Sequence, residues 1–358
     1  MAGDNTAPGG GAPGVAADKA AGKAQELIDG FGRRLHYLRI SLTDRCNLRC
    51  TYCMPSGGVP KLRHDDILTL EEMARVARVA VSLGVDKIRL TGGEPLLRRD
   101  LEVLLGELDA LRPRPDLRIT TNGLLLSRKL EALNRHGVST LNVSLDTLKP
   151  ERYGEITGLG QEEGRRAFQR VWEAINLALE TGCFTVKLNV VVMAGLNHDE
   201  VLDFARLTLK LPLAVRFIEY MPVGRHTPFL PQRFIDSQEI LRELSRLGPC
   251  QELPVRPGDG PARRYRLPDS PGELGVISAL SSHFCSACNR LRLTADGRLV
   301  PCLFSDQTVD LRGVLRSGAS DGELAEALRQ AAAIKPQRHL MHADIAQSAG
   351  CPMSRLGG

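Results

Sequence analysis

Six short runs rich in aliphatic and β-branched residues, most of them separated by amphipathic stretches, govern what this chain can fold into. They span residues 35–42, 87–91, 117–121, 140–145, 185–193 and 215–221. Thr69-Leu-Glu-Glu forms a capping box for a helix running to about residue 83, with Gly84 as its stop. Residues 98–111, 128–136, 165–180 and 198–211 follow the same helical periodicity. Alternating βα units predict an α/β protein whose parallel sheet is covered by helices. Periodicity alone allows either an open, partial barrel of six units or a doubly wound sheet.

The alternation stops near residue 225. A helix over 238–247 follows, then strands over 264–267, 275–279 and 291–299, the last folded at an Asp296-Gly297 hairpin turn. Helical stretches at 311–315 and 323–334 precede an irregular end. Three parts are expected: a disordered tail over 1–30, a βα part over 31–224 and an α+β extension over 225–358. The tail is rich in Gly, Ala and Pro and holds too little apolar surface to offset the entropy of ordering.

In βα folds, ligands collect where the loops after the strands meet. The unusual residues of this chain fall there. Cys46, Cys50 and Cys53 follow the first run in a C-x3-C-x2-C pattern. Gly92-Gly93-Glu94-Pro95 follows the second, Thr120 to Gly123 the third, Ser144 and Asp146 the fourth, and Met221 the sixth.

Three thiolates from one loop suit a 4Fe-4S cubane with one iron left open for a small molecule. Cys285 and Cys288 form a second close pair, with Cys302 after thirteen intervening residues, so the same arrangement recurs near the C-terminus. Structural zinc is the competing reading, with His64 and His283 as fourth ligands. Disulfides fit poorly, because the chain has nine cysteines and its close pairs read as metal ligands. Cys183, Cys250 and Cys351 fall outside both groups and read as ordinary thiols.

Composition excludes several classes. The formal charge of +5 fits an anionic small ligand, and no block of five or six basic residues marks a nucleic-acid tail. Aromatic residues at 4% argue against a broad base-stacking surface. No run approaches the roughly 18 apolar residues of a spanning helix, and no secretory pattern is present. A soluble cytoplasmic protein with reduced thiols is expected, with neither a nucleic acid nor a membrane as partner.

The cysteine loop with Tyr52 inside it, followed by Thr91-Gly-Gly-Glu-Pro, resembles the radical S-adenosylmethionine superfamily. The resemblance narrows with Leu38-Arg-Ile-Ser-Leu-Thr-Asp-Arg-Cys-Asn, Thr120-Thr-Asn-Gly, Asn142-Val-Ser-Leu-Asp, Lys187-Leu-Asn-Val-Val, Arg216-Phe-Ile-Glu-Tyr-Met, Phe284-Cys-Ser-Ala-Cys-Asn-Arg-Leu-Arg-Leu and the terminal Gly357-Gly358. Together, from about residue 33 to the C-terminus, these are similar to the GTP 3′,8-cyclase family.

That resemblance implies a partial, TIM-like barrel of six βα units whose open side is closed by the C-terminal extension. It implies S-adenosylmethionine on the open iron held by Cys46, Cys50 and Cys53, and one-electron cleavage to a 5′-deoxyadenosyl radical. The family's radical removes the ribose 3′ hydrogen of GTP, and C3′ then joins C8 to give (8S)-3′,8-cyclo-7,8-dihydroguanosine 5′-triphosphate, the first step toward molybdenum cofactor. Tyr52, Gly93, Ser144 and Met221 match positions that contact S-adenosylmethionine, and Glu94 is expected to pair with its amino group. Arg39, Arg89, Thr120, Lys187, Arg290, Leu291 and Arg292 match GTP contacts. Cys285, Cys288 and Cys302 match the ligands of a second 4Fe-4S cluster whose open iron meets the guanine, and Gly357 and Gly358 match a tail that enters the site. An electron donor, a downstream enzyme that accepts the product and homodimerisation are further implications.

Two alternatives stand beside this one. A peptide-modifying radical maturase shares the first loop but would carry a larger C-terminal cysteine set, and a zinc module would bind zinc without sulfide.

Overall fold

The computed structural model describes residues 26–55, 57–223, 229–255, 260–341 and 353–356. The bulk of the expected tail, the boundary at 224–225, Cys351 and the Gly357-Gly358 pair lie outside the described residues. Residues 26–30, which the sequence groups with the tail, belong to the fold. Leu27 is buried in the core, its N–H donates to the Leu83 carbonyl, and its own carbonyl accepts from Leu35 N–H.

Six strands alternate with helices as the periodicity predicts: β1 Tyr37–Ser41, β2 Lys87–Thr91, β3 Asp116–Thr121, β4 Val138–Ser144, β5 Thr185–Val192 and β6 Ala214–Glu219. Helices α1 Leu70–Ser82, α2 Leu101–Asp109, α3 Leu130–Arg135, α4 Pro150–Thr157, α5 Gln161–Glu180 and α6 Val201–Leu207 connect them. The Thr69–Glu72 capping box is formed in both directions. Sequence reading missed α4 and began α5 four residues late, because Gly154, Gly158, Gly160 and Gly164 look like helix breakers. Gly154, Gly158 and Gly164 sit at close approaches, whereas Gly160 has open space around it and precedes α5 as its N-cap. A Cβ on Gly164 would lie 2.4 Å from the Gly154 Cα, so only glycine lets α4 and α5 approach this closely.

The later part contributes α7 Ser237–Leu244, β7 Gln251–Glu252, β8 Arg263–Arg266, β9 Glu273–Ile277, β10 Arg290–Leu293, β11 Arg298–Val300, β12 Val309–Asp310, α8 Leu311–Arg316, α9 Asp321–Ala333 and α10 Met353–Leu356. All twelve strands form one open, mixed sheet in the order β12-β11-β10-β1-β2-β3-β4-β5-β6-β9-β8-β7. From β10 to β9 every pairing is parallel, and the outer pairings are antiparallel. The C-terminal strands therefore lengthen the sheet at both edges. β10 and β11 flank the expected Asp296-Gly297 turn.

Alternation along each strand separates two environments. On β5, Val186, Leu188, Val190 and Val192 enter the hydrophobic core, whereas Lys187, Asn189 and Val191 line a cavity on the opposite face. A parallel sheet needs both faces covered. Here one face is covered by helices, and the other surrounds a site. No helix among the described residues is long and apolar enough to cross a membrane.

Candidate active site between two cysteine groups

The first cysteine loop follows β1 and is fixed from three directions. Arg49 N–H donates to the Thr157 carbonyl (2.8 Å) and Thr51 N–H to that of Ile156 (2.9 Å), which ties the loop to the end of α4. Gly93 N–H donates to the Thr43 carbonyl (2.6 Å) and Glu94 N–H to that of Arg45 (2.8 Å), so the turn after β2 lies against the chain entering Cys46. A Cβ on Gly93 would lie 2.2 Å from the Arg45 oxygen, a contact only glycine avoids. From the turn after β3, Asn122 reaches the Cys46 Sγ at 3.8 Å.

Glu94 is fully buried, and the protein already occupies its carboxylate. One oxygen accepts from Thr121 Oγ1 (2.6 Å) and Leu96 N–H (3.1 Å), the other from Asn122 N–H (2.7 Å). Burial pushes its pKa up to about 7, against the pull of these donors. Its visible role is to lock the turns after β2 and β3 together.

Tyr52 donates its hydroxyl to Asp146 (2.7 Å), which also accepts from Val191 N–H (2.8 Å). Burial raises Asp146 to about 6. The three thiols of this loop are all shifted upward. Burial is the largest cause in each; for Cys50 the neighbouring Cys53 and Asp146 add to it, and Cys53 reaches about 12. Such thiols lose their protons when a metal takes the proton's place, which is the chemistry of an iron-sulfur ligand set. No three His, Cys, Asp or Glu side chains among the described residues converge on a single ion. A cubane does not require this, since each thiolate binds its own iron. His64, the suggested zinc ligand, has a side chain that is 98% exposed.

A cavity of about 310 Å3 extends along the inner face of the sheet. Tyr52, Ser144, Asp146 and Met221 line it toward the first loop, and Cys285, Cys288 and Cys302 line it on the side of β10 and β11. Between them strand register sets Arg292, Arg39, Arg89 and Arg118 side by side on four neighbouring strands. One step earlier in the same register, Tyr37 lies between Arg290 and Lys87. Lys187, Arg216 and Arg264 complete nine cationic side chains around one space.

These charges perturb one another. Burial, reinforced by Arg216, Arg118 and Arg89, lowers Lys187 to about 7. Burial lowers Arg216 to about 9, with Arg89 adding to it. Burial alone would raise the Tyr37 phenol, yet Arg89, Arg39 and Arg290 outweigh it and bring it to about 8. The guanidinium Nε atoms of Arg89, Arg216, Arg290 and Arg292 are buried without a hydrogen-bond partner among the described residues. Leaving such donors unmet costs about 1–3 kcal/mol each. A polyanion would meet them.

Of the residues expected to touch substrate or cofactor, Arg39, Tyr52, Arg89, Ser144, Lys187, Met221, Arg290 and Arg292 line the cavity. Thr120 stands behind it, accepting from Arg89 (3.3 Å). Leu291 points into the core, so contact from this residue would come through its backbone. Met353 also lines the cavity and Leu356 packs with Val223 and Val300, which brings the described end of the chain to the site. Tyr37, Lys87, Arg118, Asn189 and Arg216 were not singled out in sequence. The period-two alternation with Arg39, Arg89, Thr120 and Lys187 was the signal that could have found most of them.

Comparison with known proteins follows the same division. The radical SAM superfamily matches residues 40–208, and the Molybdenum Cofactor Synthesis C family matches residues 213–341. A GTP 3′,8-cyclase of Pelotomaculum thermopropionicum is 48% identical over 88% of this chain and 95% of its own. Another from Moorella thermoacetica is 46% identical over 93% of this chain and 100% of its own. The crystal structure of Streptococcus suis SuiB bound to S-adenosylmethionine superposes with a TM-score of 0.58, covering 84% of this chain and 69% of that one. At 16% identity this last likeness concerns the fold alone.

Proposed function

The chain belongs to the GTP 3′,8-cyclase family of radical S-adenosylmethionine enzymes and converts GTP to (8S)-3′,8-cyclo-7,8-dihydroguanosine 5′-triphosphate, the first step of molybdenum cofactor biosynthesis; we propose that the reaction occupies the cavity between its two cysteine groups. The observation that carries this reading is the gathering of cationic side chains around one cavity, led by the in-register Arg292, Arg39, Arg89 and Arg118, with the Nε donors of Arg89 and Arg292 buried and unmet among the described residues.

In this reading Cys46, Cys50 and Cys53 hold a 4Fe-4S cluster, and Tyr52, Gly93, Ser144 and Met221 surround S-adenosylmethionine. When bound, this pair supplies one-electron reductive cleavage, and the protein's part is to position and to exclude water. Glu94 shapes the cofactor's site by holding its two turns together, a role its three donors support better than direct pairing with the amino group. Arg39, Arg89, Lys187, Arg290 and Arg292 bind the triphosphate through charge-assisted hydrogen bonds, with Thr120 orienting Arg89 and Leu291 contributing its backbone. Cys285, Cys288 and Cys302 hold a second 4Fe-4S cluster facing the guanine, and Gly357 and Gly358 continue from α10 toward the site.

Several finer readings belong to this proposal. β1–β6 with their helices form six units of a partial barrel, supported by unbroken parallel pairing around a one-sided cavity. The division is placed at residues 224–225, where the βα alternation ends, whereas the two family matches divide earlier, between residues 208 and 213. An external one-electron donor, a downstream enzyme for the product, a homodimeric state and a cytoplasmic, reducing location complete it.

The test is anaerobic reconstitution with iron and sulfide, then incubation with a reductant, S-adenosylmethionine and GTP. About eight irons and eight sulfides per chain are expected, with the cyclised nucleotide formed in step with 5′-deoxyadenosine. Zinc without sulfide, or cleavage of S-adenosylmethionine with GTP unchanged, would overturn the assignment.

A further inference from the structure

The second cysteine group is joined by a buried lysine that neither the motifs nor the cavity lining singles out. Lys335 lies just beyond α9 and is 3% exposed. An ammonium has three protons to donate. Its Nζ lies 2.6 Å from the Pro301 carbonyl, 3.0 Å from the Arg290 carbonyl and 3.4 Å from the Cys288 Sγ. Pro301 immediately precedes Cys302, and Arg290 stands two residues after Cys288. One side chain therefore ties together the two segments that carry these cysteines and also touches one sulfur.

Burying an ammonium is costly unless it is fully hydrogen-bonded and compensated by negative charge. Two carbonyls satisfy hydrogen bonds without supplying a charge. A cluster held by three thiolates would supply one, and hydrogen bonds to cluster sulfurs together with nearby charge tune such centres. We propose that Lys335 is a positioning and charge-compensating residue of the second cluster site, fixing the spacing of the Cys288 and Cys302 segments and setting the reduction potential of what they hold. The inference rests on the reading that Cys285, Cys288 and Cys302 bind a cluster.

The experiment uses the full chain with Cys46, Cys50 and Cys53 all changed to Ala, so that only the second group can take up iron. After reconstitution with ferrous iron and sulfide, iron retention is measured against a graded series of chelators. The midpoint potential is measured by electron paramagnetic resonance during reductive titration. Lys335→Met should weaken retention roughly 10–100-fold, the usual effect of losing an outer-shell partner, and move the midpoint to more negative potential. Lys335→Arg keeps the charge and should stay within about twofold of the parent on the same scale. An unchanged Lys335→Met protein, or a Lys335→Arg protein as impaired as it, would overturn the charge role. In the chain with all its cysteines, Lys335→Met should keep about four irons on the first loop, and loss of all iron there would mark Lys335 as a general structural residue instead. If the triple variant with Lys335 intact takes up no iron, the second-cluster reading itself falls.

Discussion

The two cysteine groups share a spacing logic and differ in their electrical surroundings. Around the first loop the nearby ionisable groups are Glu94, Asp146, the phenol of Tyr52 and one cation, Arg49, whose Nη1 donates to the Cys46 carbonyl at 2.8 Å, and every thiol is held above its ordinary value, chiefly by burial. Around the second, burial would raise the Cys288 thiol, yet Lys335, Arg290 and Arg292 outweigh it and bring it down to about 7. Arg33 adds a guanidinium whose Nη1 donates to the Cys285 carbonyl at 2.6 Å. Cys285 itself still lies above the usual thiol range because burial dominates there. The same strand that follows Cys288 carries Arg290 and Arg292 into the cavity, so one set of charges faces both the second cysteine group and the space proposed for the triphosphate. The first loop is separated from those charges by Tyr52 and Asp146. One group is thus built to be apart from the polyanion, and the other to share its counter-charges.

The sharpest way to break this comparison is to remove one thiol from each group. Cys50→Ala should reduce S-adenosylmethionine cleavage to background, because the first cluster loses one of three ligands. Cys288→Ala should retain the first cluster and part of the cleavage while forming no cyclised product. Iron content and the ratio of 5′-deoxyadenosine to product are the measurements. Product formation by Cys288→Ala would remove the second group from the substrate's site.

Next in size is Arg292→Ala, which takes one cation out of the in-register row. A lost hydrogen bond to a charged group is worth about 1.5–3 kcal/mol, or roughly 10–150-fold in affinity. The loss should appear in KM for GTP with the KM for S-adenosylmethionine little changed. Equal loss for both would mean that the two ends of the cavity are not separate.

Lys187 makes the binding of GTP depend on pH. Its pKa of about 7 in the free cavity means that it loses its proton as pH rises through 7. The ammonium binds the triphosphate better than the amine does, so an occupied cavity raises this pKa and Lys187 takes up a proton when GTP binds above pH 7. Affinity should fall by up to about tenfold per pH unit above that point. The Tyr37 phenol, at about 8, loses its proton over the next unit and adds to the fall. Calorimetry at pH 8 in buffers of different ionisation enthalpy reads the proton uptake directly, and Lys187→Met should diminish it. Proton release on binding would contradict the assignment.

What could be read from sequence was local. The βα alternation, the α1 capping box and the strand-end motifs each depend on residues within one or two turns of chain, and the structure places them within a few residues of expectation. Pairings between distant segments were not legible. That β10 joins β1 and β9 joins β6 depends on contacts across more than fifty residues in each case, and no local pattern encodes which edge a strand will choose. α4 was hidden because its glycines serve packing, a use that propensity counts as breakage. Lys335 carries no motif or periodic signal in sequence, and only tertiary packing turns it inward. The three protein donors to Glu94, which tie the turns after β2 and β3 together, were not legible in its motif.

The smallest effect lies behind the arginine row. Thr120 accepts from Arg89 at 3.3 Å on the side away from the second cysteines, and both groups are buried. Thr120→Val keeps the shape and removes the acceptor that holds Arg89 in place. A neutral acceptor of this kind is worth about 0.5–1.5 kcal/mol, so a roughly two- to tenfold rise in KM for GTP is expected at unchanged kcat. If kcat falls while KM holds, Arg89 is oriented for the reacting ribose and not for the triphosphate. The cationic row would then be divided between binding and positioning, with its boundary on β2.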